Sequence, residues 1–179
     1  SRQIKIGELV KVDCVDIDRS GYGVSRWNGW VIVTPDLIPN ETALVVILHR
    51  KGSQWFSKVY KLLVTSKNRV LSRCNVYPIC GSCSIQHIAD EEQWNLKVNS
   101  ITQCLKRIAG IDVHINQSFK DIVSSYNYRN KTILPVIFNS RNFIIGYYKR
   151  NTQQLVDINS CPVLDNRINY LFKIVKDDL

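Results

Sequence analysis

Leu9-Val10-Lys11-Val12-Asp13-Cys14-Val15-Asp16-Ile17, followed by the turn Gly21-Tyr22-Gly23, sets Val10, Val12 and Cys14 against Leu9, Lys11 and Asp13. Strict alternation of this kind reads as a β-strand with one buried face, because successive side chains in a strand point to opposite sides. Working outward, Asn28-Gly29 is a strong hairpin signal and precedes the apolar stretch Trp30–Val33. Pro35 and Pro39 punctuate a loop, Ala43–His49 reads as a further strand, Lys51-Gly52-Ser53 as a turn, and Phe56–Val64 as the closing strand. About five short strands within residues 4–65 predict a small closed barrel of the oligonucleotide-binding type, since closure removes exposed strand edges.

Beyond the barrel the period changes. Trp94, Val98, Ile101, Leu105 and Ile108 recur at three and four, which predicts a helix over 90–109, with Asp90, Glu91 and Glu92 at its start and Gly110 as its stop. Thr132–Phe138 and Asn142–Tyr148 read as paired strands, with Leu155–Ile158 as a third. Ile168, Leu171, Phe172 and Val175 predict an amphipathic tail helix. The fold class expected is α+β, with a barrel domain over 1–69 and a second, mixed α/β region over 70–179.

Composition narrows the partners. The chain of 179 residues carries a formal net charge of +9, of which +6 lies in residues 1–73, and this basic balance makes polyanions the first partners to consider. The longest unbroken apolar run is Ala43–Leu48, far short of the roughly 20 residues a membrane-spanning helix needs. No membrane anchor and no secretory signal are read, so the cytoplasm is the expected location, with an organelle interior as the alternative. The chain contains no methionine, which points to a piece of something longer.

Of the six cysteines, three fall in Arg73-Cys74-Asn75-Val76-Tyr77-Pro78-Ile79-Cys80-Gly81-Ser82-Cys83, a C-x5-C-x2-C spacing. In a reducing compartment three thiols so close are a ligand cluster rather than a disulfide framework. Cys161, followed by Pro162 after a turn-like stretch, is the best-placed fourth ligand. Four thiolates suit either tetrahedral zinc or a 4Fe-4S cluster; a single short knuckle joined by a distant Cys74 and a lone Cys-Pro tilts the reading toward iron and sulfur. Cys14 and Cys104 read as small buried hydrophobes.

Basic and aromatic residues are interleaved in the barrel's turns: Arg19, Tyr22, Arg26 and Trp27 in one group, Arg50, Lys51, Trp55 and Lys58 in another. Bases stack on aromatic rings while cations take phosphates, so this composition suits a single-strand binding face.

The stretch from Cys74 through Cys80-Gly81-Ser82-Cys83-Ser84-Ile85-Gln86-His87 to Gln93, Leu96 and Lys97 resembles the iron-sulfur signature of the RNA uracil-C5 methyltransferases that act on 23S ribosomal RNA. Residues 4–69 resemble the TRAM domain of that family in Gly21-Tyr22-Gly23-Val24, Asn28-Gly29, Ile38-Pro39-Asn40-Glu41 and Ser66-Lys67-Asn68-Arg69-Val70. Tyr128-Arg129-Asn130-Lys131, Gly146-Tyr147-Tyr148-Lys149-Arg150 and Val156-Asp157-Ile158 through Cys161-Pro162 are similar to its central domain, in order. Ser82, Asn40 and Gln154 depart from the residues more usual there.

The resemblance implies the RNA-recognition half of such an enzyme. Cys74, Cys80, Cys83 and Cys161 would ligate the cluster in an architectural role, and Arg129, Lys131, Lys149 and Arg150 would join Arg19, Tyr22, Arg26, Trp27, Arg50 and Lys51 as RNA contacts. No residue is assigned a catalytic role. The partner implied is RNA, 23S ribosomal RNA by the family's habit, bound by a monomer. S-adenosylmethionine and the cysteine nucleophile belong to a Rossmann-like catalytic domain of the family, and no glycine-rich cofactor turn for it is found in this sequence. Two rival readings are a stand-alone metal-stapled nucleic-acid module and an electron carrier of ferredoxin type.

Overall fold

The computed structural model describes residues 3–115 and 124–179. The chain divides into two compact units, neither a simple consecutive stretch: Ser1–Leu71 with His87–His114, and Ser72–Gln86 with Ile115–Leu179.

The first unit is built on a closed five-stranded barrel. Its strands are β1 (Leu9–Ile17), β2 (Gly23–Trp27), β3 (Trp30–Thr34), β4 (Thr42–Lys51) and β5 (Gln54–Val64), in the order β1-β2-β3-β5-β4. The alternation in β1 does what it predicts: Val10, Val12 and Cys14 are buried while Leu9, Lys11 and Asp13 face outward. They meet Ile32, Leu37, Ala43, Val45, Ile47 and Trp55 in one core. Asn28 and Gly29 both take positive φ, 47° and 85°, which makes the tight β2–β3 turn. All pairs are antiparallel except β3 with β5, a parallel junction that closes the barrel against β4 and β1. Three register shifts between β4 and β5 supply bulges that help the sheet curl. The architecture is a small OB-like barrel in an α+β chain.

Helix α1 (Asp90–Cys104) passes into a wider π-type turn, Leu105–Ala109, and stops at Gly110, which takes φ 67°. Its apolar stripe is not buried as the periodicity predicts. Leu96 is the buried residue of α1, while Ile101 and Ile108 are exposed and Cys104, expected inside, is exposed as well. Among the described residues no strand or helix covers that side, so spacing alone could not decide its burial.

Thr34 Oγ1 and Ser57 Oγ satisfy each other inside the barrel at 2.7 Å. The more consequential polar contact is Glu41, whose side chain is fully buried. Arg69 donates to it through Nε (2.5 Å) and Nη2 (2.8 Å), and the backbone amides of Ile38 and Ser66 also donate. The same Nη2 reaches the Asp36 carbonyl at 2.6 Å, so one arginine ties the β3–β4 loop to the segment leaving β5. Removing one partner of a buried pair strands the other charge without solvent. Arg69→Ala is therefore expected to cost about 3–5 kcal/mol, read as a lower denaturant midpoint by tryptophan fluorescence. An unchanged midpoint would mean that the pair contributes nothing to holding the barrel.

The second unit contains a three-stranded antiparallel sheet, β6 (Val136–Phe138), β7 (Phe143–Tyr148) and β8 (Leu155–Asp157), followed by helix α2 (Asn166–Asp177). Asp165 caps α2 by accepting from the Arg167 amide at 2.9 Å, and its hydrogen bonds with Arg167 hold its carboxyl down at about 2. Phe172 packs against Ile145, Ile158, Cys161, Val163 and Leu164, while Leu171 and Val175, predicted on the same stripe, remain exposed.

Candidate metal centre and nucleic-acid interface

The C-x5-C-x2-C loop folds as successive tight turns. Tyr77 N donates to Cys74 O at 3.2 Å and Cys80 N to Val76 O at 2.9 Å, with a cis peptide at Tyr77-Pro78. Gly81 then brings the loop against the end of β7: its amide donates to Tyr148 O at 2.9 Å. A Cβ there would lie 3.0 Å from the Tyr148 carbonyl oxygen and 3.1 Å from Arg150 Cα, which is why glycine occupies the position. Arg150 fastens the same loop from the other side, Nη2 donating to Cys83 O at 3.1 Å.

Cys161 arrives from the loop between β8 and α2. Asn169 on α2 grips it at both backbone ends, accepting from Cys161 N and donating to Cys161 O, each at 2.9 Å. Sequence reasoning missed Asn169, since only a formed helix places it eight residues back over the cysteine. The result is one narrow pocket lined by Cys74, Cys80, Cys83 and Cys161 together with Tyr147 and Ile158. All four predicted ligands are thus brought together.

The pocket's electrostatics follow from crowding. Burial pushes the Cys80, Cys83 and Cys161 thiols up, and each is raised further by the charge of neighbouring cysteines in the same group. Hydrogen bonding with Gln86 and the Arg129 charge partly offset this for Cys83. Among the described residues no three His, Cys, Asp or Glu side chains stand in the arrangement that holds a metal ion. The donor set itself, four thiols with no carboxylate or imidazole among the lining residues, fits a soft thiolate-bound group, and ligation would require the thiols to release their protons.

The predicted RNA contacts fall into separate places. β2–β3 and β4–β5 turns lie at the same end of the barrel, since Val31 pairs with Gln54 and Arg50 sits 4.9 Å over the Trp30 ring and 5.8 Å from that of Trp55. Arg26, Trp27, Arg50 and Lys51 therefore share that end, where Arg26 and Lys51 are exposed and Trp27 half-buried. Arg19 and Tyr22 lie at the opposite end, beside the 35–41 loop, where Asn40 N donates to Cys14 O. Tyr22, expected as a stacking ring, is instead buried at 8% exposure, because Asp18 Oδ1 accepts from its amide and folds the turn inward. In the second unit Lys131 and Lys149 are exposed, while Arg129 and Arg150 are half-buried beside the cysteine loop.

No family model matches the chain. Over 174 residues, 97% of its length, it is 34% identical to a protein of Parasynechococcus marenigrum and 35% identical to one of Nostoc, both described as uncharacterized RNA methyltransferases. The chain spans 37% and 38% of those relatives. The crystal structure of Pyrococcus abyssi tRNA (uracil-54, C5)-methyltransferase in complex with S-adenosyl-L-homocysteine matches 93% of this chain, and 36% of its own, at TM-score 0.58 and 22% identity. The fold is shared. No helix among the described residues is long and apolar enough to cross a membrane.

Thiol reactivity checks the site without any metal. Alkylation requires thiolate, so a thiol pushed up reacts more slowly at a given pH and faster as pH rises toward its raised value. In the metal-free chain at mildly alkaline pH, exposed Cys104 is expected to be modified first and Cys80, Cys83 and Cys161 later. Cys14, which burial pushes up to about 12, is expected last. Peptide mass spectrometry over time reads the order; Cys161 reacting as fast as Cys104 would contradict the pocket.

Proposed function

We propose that this chain is the RNA-recognition and iron-sulfur-containing segment of an S-adenosylmethionine-dependent RNA uracil-C5 methyltransferase, with 23S ribosomal RNA as the substrate class. The observation that carries the reading is similarity over 97% of the chain to proteins described as RNA methyltransferases. The convergence of Cys74, Cys80, Cys83 and Cys161 on one pocket supports the cluster part, because a family signature would otherwise have no reason to recruit a cysteine from so far along the chain.

In this reading the barrel grips RNA at the end that carries Arg26, Trp27, Arg50 and Lys51. Arg50 is held 4.9 Å over the half-buried Trp30 ring and 5.8 Å from that of buried Trp55, which leaves an indole-backed cationic surface suited to a base and its phosphate. The four cysteines would hold the cluster, whose contribution is to fasten the loop to the Cys161 segment and so fix the surface of the second unit. Methyl transfer, with its thiolate nucleophile and cofactor, would be carried by parts of the parent enzyme outside these residues.

RNA binding measured across a salt series tests the proposal. The chain is expected to bind 23S ribosomal RNA fragments with log affinity falling linearly in log salt, and Arg26→Ala with Lys51→Ala is expected to flatten the slope by roughly 0.7 per lost phosphate contact. Affinity no greater than for a polyanion such as heparin would overturn it.

A further inference from the structure

We infer that the β6–β7 hairpin is a second RNA contact, one that stacks an unpaired base on Phe138 and Phe143 while Arg141 takes the adjoining phosphate. This deepens the RNA-binding reading above and rests on it.

Three observations carry the inference. First, every residue of β6 is exposed, and Phe138 pairs directly across the strands with Phe143, so both rings stand on one face. Their centroids are 5.0 Å apart at an interplanar angle of 44°, and they remain 58% and 38% exposed. Two phenyl rings left in water at a hairpin tip cost hydrophobic free energy that an ordinary surface avoids with polar side chains.

Second, the tip between them is rigidly made. Asn139 Oδ1 accepts from the amides of Arg141 and Asn142 at 3.3 and 3.0 Å, Asn139 N donates to Asn142 O at 3.1 Å, and Ser140 sits at φ 72°. That turn presents Arg141, itself exposed, beside the ring pair. Ordering the platform beforehand lowers the entropy that a ligand must offset on binding.

Third, the stretch of chain that carries it holds one sign of charge, and Asp157 on the neighbouring strand β8 is paired with Lys176 Nζ at 2.8 Å. Between Asp121 and Asp157 the sequence has no carboxylate, yet it contains Arg129, Lys131, Arg141, Lys149 and Arg150. A surface meant for a protein partner of ordinary composition has no need to exclude acids over so long a stretch. A surface meant for a polyanion does, because each carboxylate there would repel phosphate. Aromatic faces with cations and no anions match single-stranded nucleic acid.

Two measurements on the intact chain test this. In the first, binding of a short unpaired oligoribonucleotide is followed by fluorescence anisotropy. Phe138→Ala and Phe143→Leu are each expected to weaken binding about tenfold, with the salt slope unchanged, while Phe138→Tyr keeps the affinity. Arg141→Ala is expected to flatten the slope by about 0.7. Phe143→Leu stays apolar, so full affinity in that variant would overturn stacking and assign the face to a protein surface instead. The second measurement needs no substitution: irradiation of the unaltered chain with RNA containing 4-thiouridine is expected to give cross-links at Phe138 or Phe143. Cross-links confined to the barrel would overturn the inference while leaving the RNA-binding proposal intact. No RNA binding by the unaltered chain would overturn both.

Discussion

Four thiols from two distant stretches of chain share one small, largely apolar pocket, and the second unit is arranged around keeping them there. The arrangement is costly for charge: burial pushes the Cys80, Cys83 and Cys161 thiols up, and the charge of neighbouring cysteines pushes them further. Thiolate ligation of a cation or cluster would require those protons to leave, and the same crowding would then serve coordination. What surrounds the pocket serves that proximity. Gly81 allows the loop to touch β7, Arg150 ties Cys83 by its carbonyl, and Asn169 fixes the backbone of Cys161 from α2.

The barrel depends on a different economy, closure of a hydrophobic sheet with one buried ion pair at its rim. Because the parallel β3–β5 junction aligns two hairpin turns at one end, exposed cations and half-buried indoles collect there, and the other end is closed by the 35–41 loop and Arg69. A binding face follows from topology more than from any single residue. Arg50 illustrates this, since its guanidinium acquires its place only when Trp30 and Trp55 have been brought side by side at 6.3 Å.

Much of this is legible in the sequence wherever the cause is local. Alternation in β1, the Asn28-Gly29 turn and the glycine stop at 110 all depend on neighbours within a few residues and stand as read, and the strands read around 139–141 do pair, though the first, read as Thr132–Phe138, is strand only over Val136–Phe138. Cysteine spacing, together with the family resemblance, identified the four thiols that now line one pocket. What the sequence conceals depends on distant partners or, at Tyr22, on which local contact wins. Tyr22 turns inward because Asp18 captures its amide, and Cys104 lies on a stripe that no described element covers. The division of Arg19 and Tyr22 from Arg26, Trp27, Arg50 and Lys51 requires knowing which strand joins which. Asn169 gave no signal at all, because an asparagine within an amphipathic helix looks like any other polar residue until the helix lies against Cys161.

Anaerobic purification followed by iron, sulfide and zinc analysis, on the chain and on Cys161→Ser, tests the account at its centre. About four irons and four sulfides per chain, lost in the Cys161→Ser variant, is the predicted result. About one zinc per chain, or iron retained undiminished without Cys161, would contradict it.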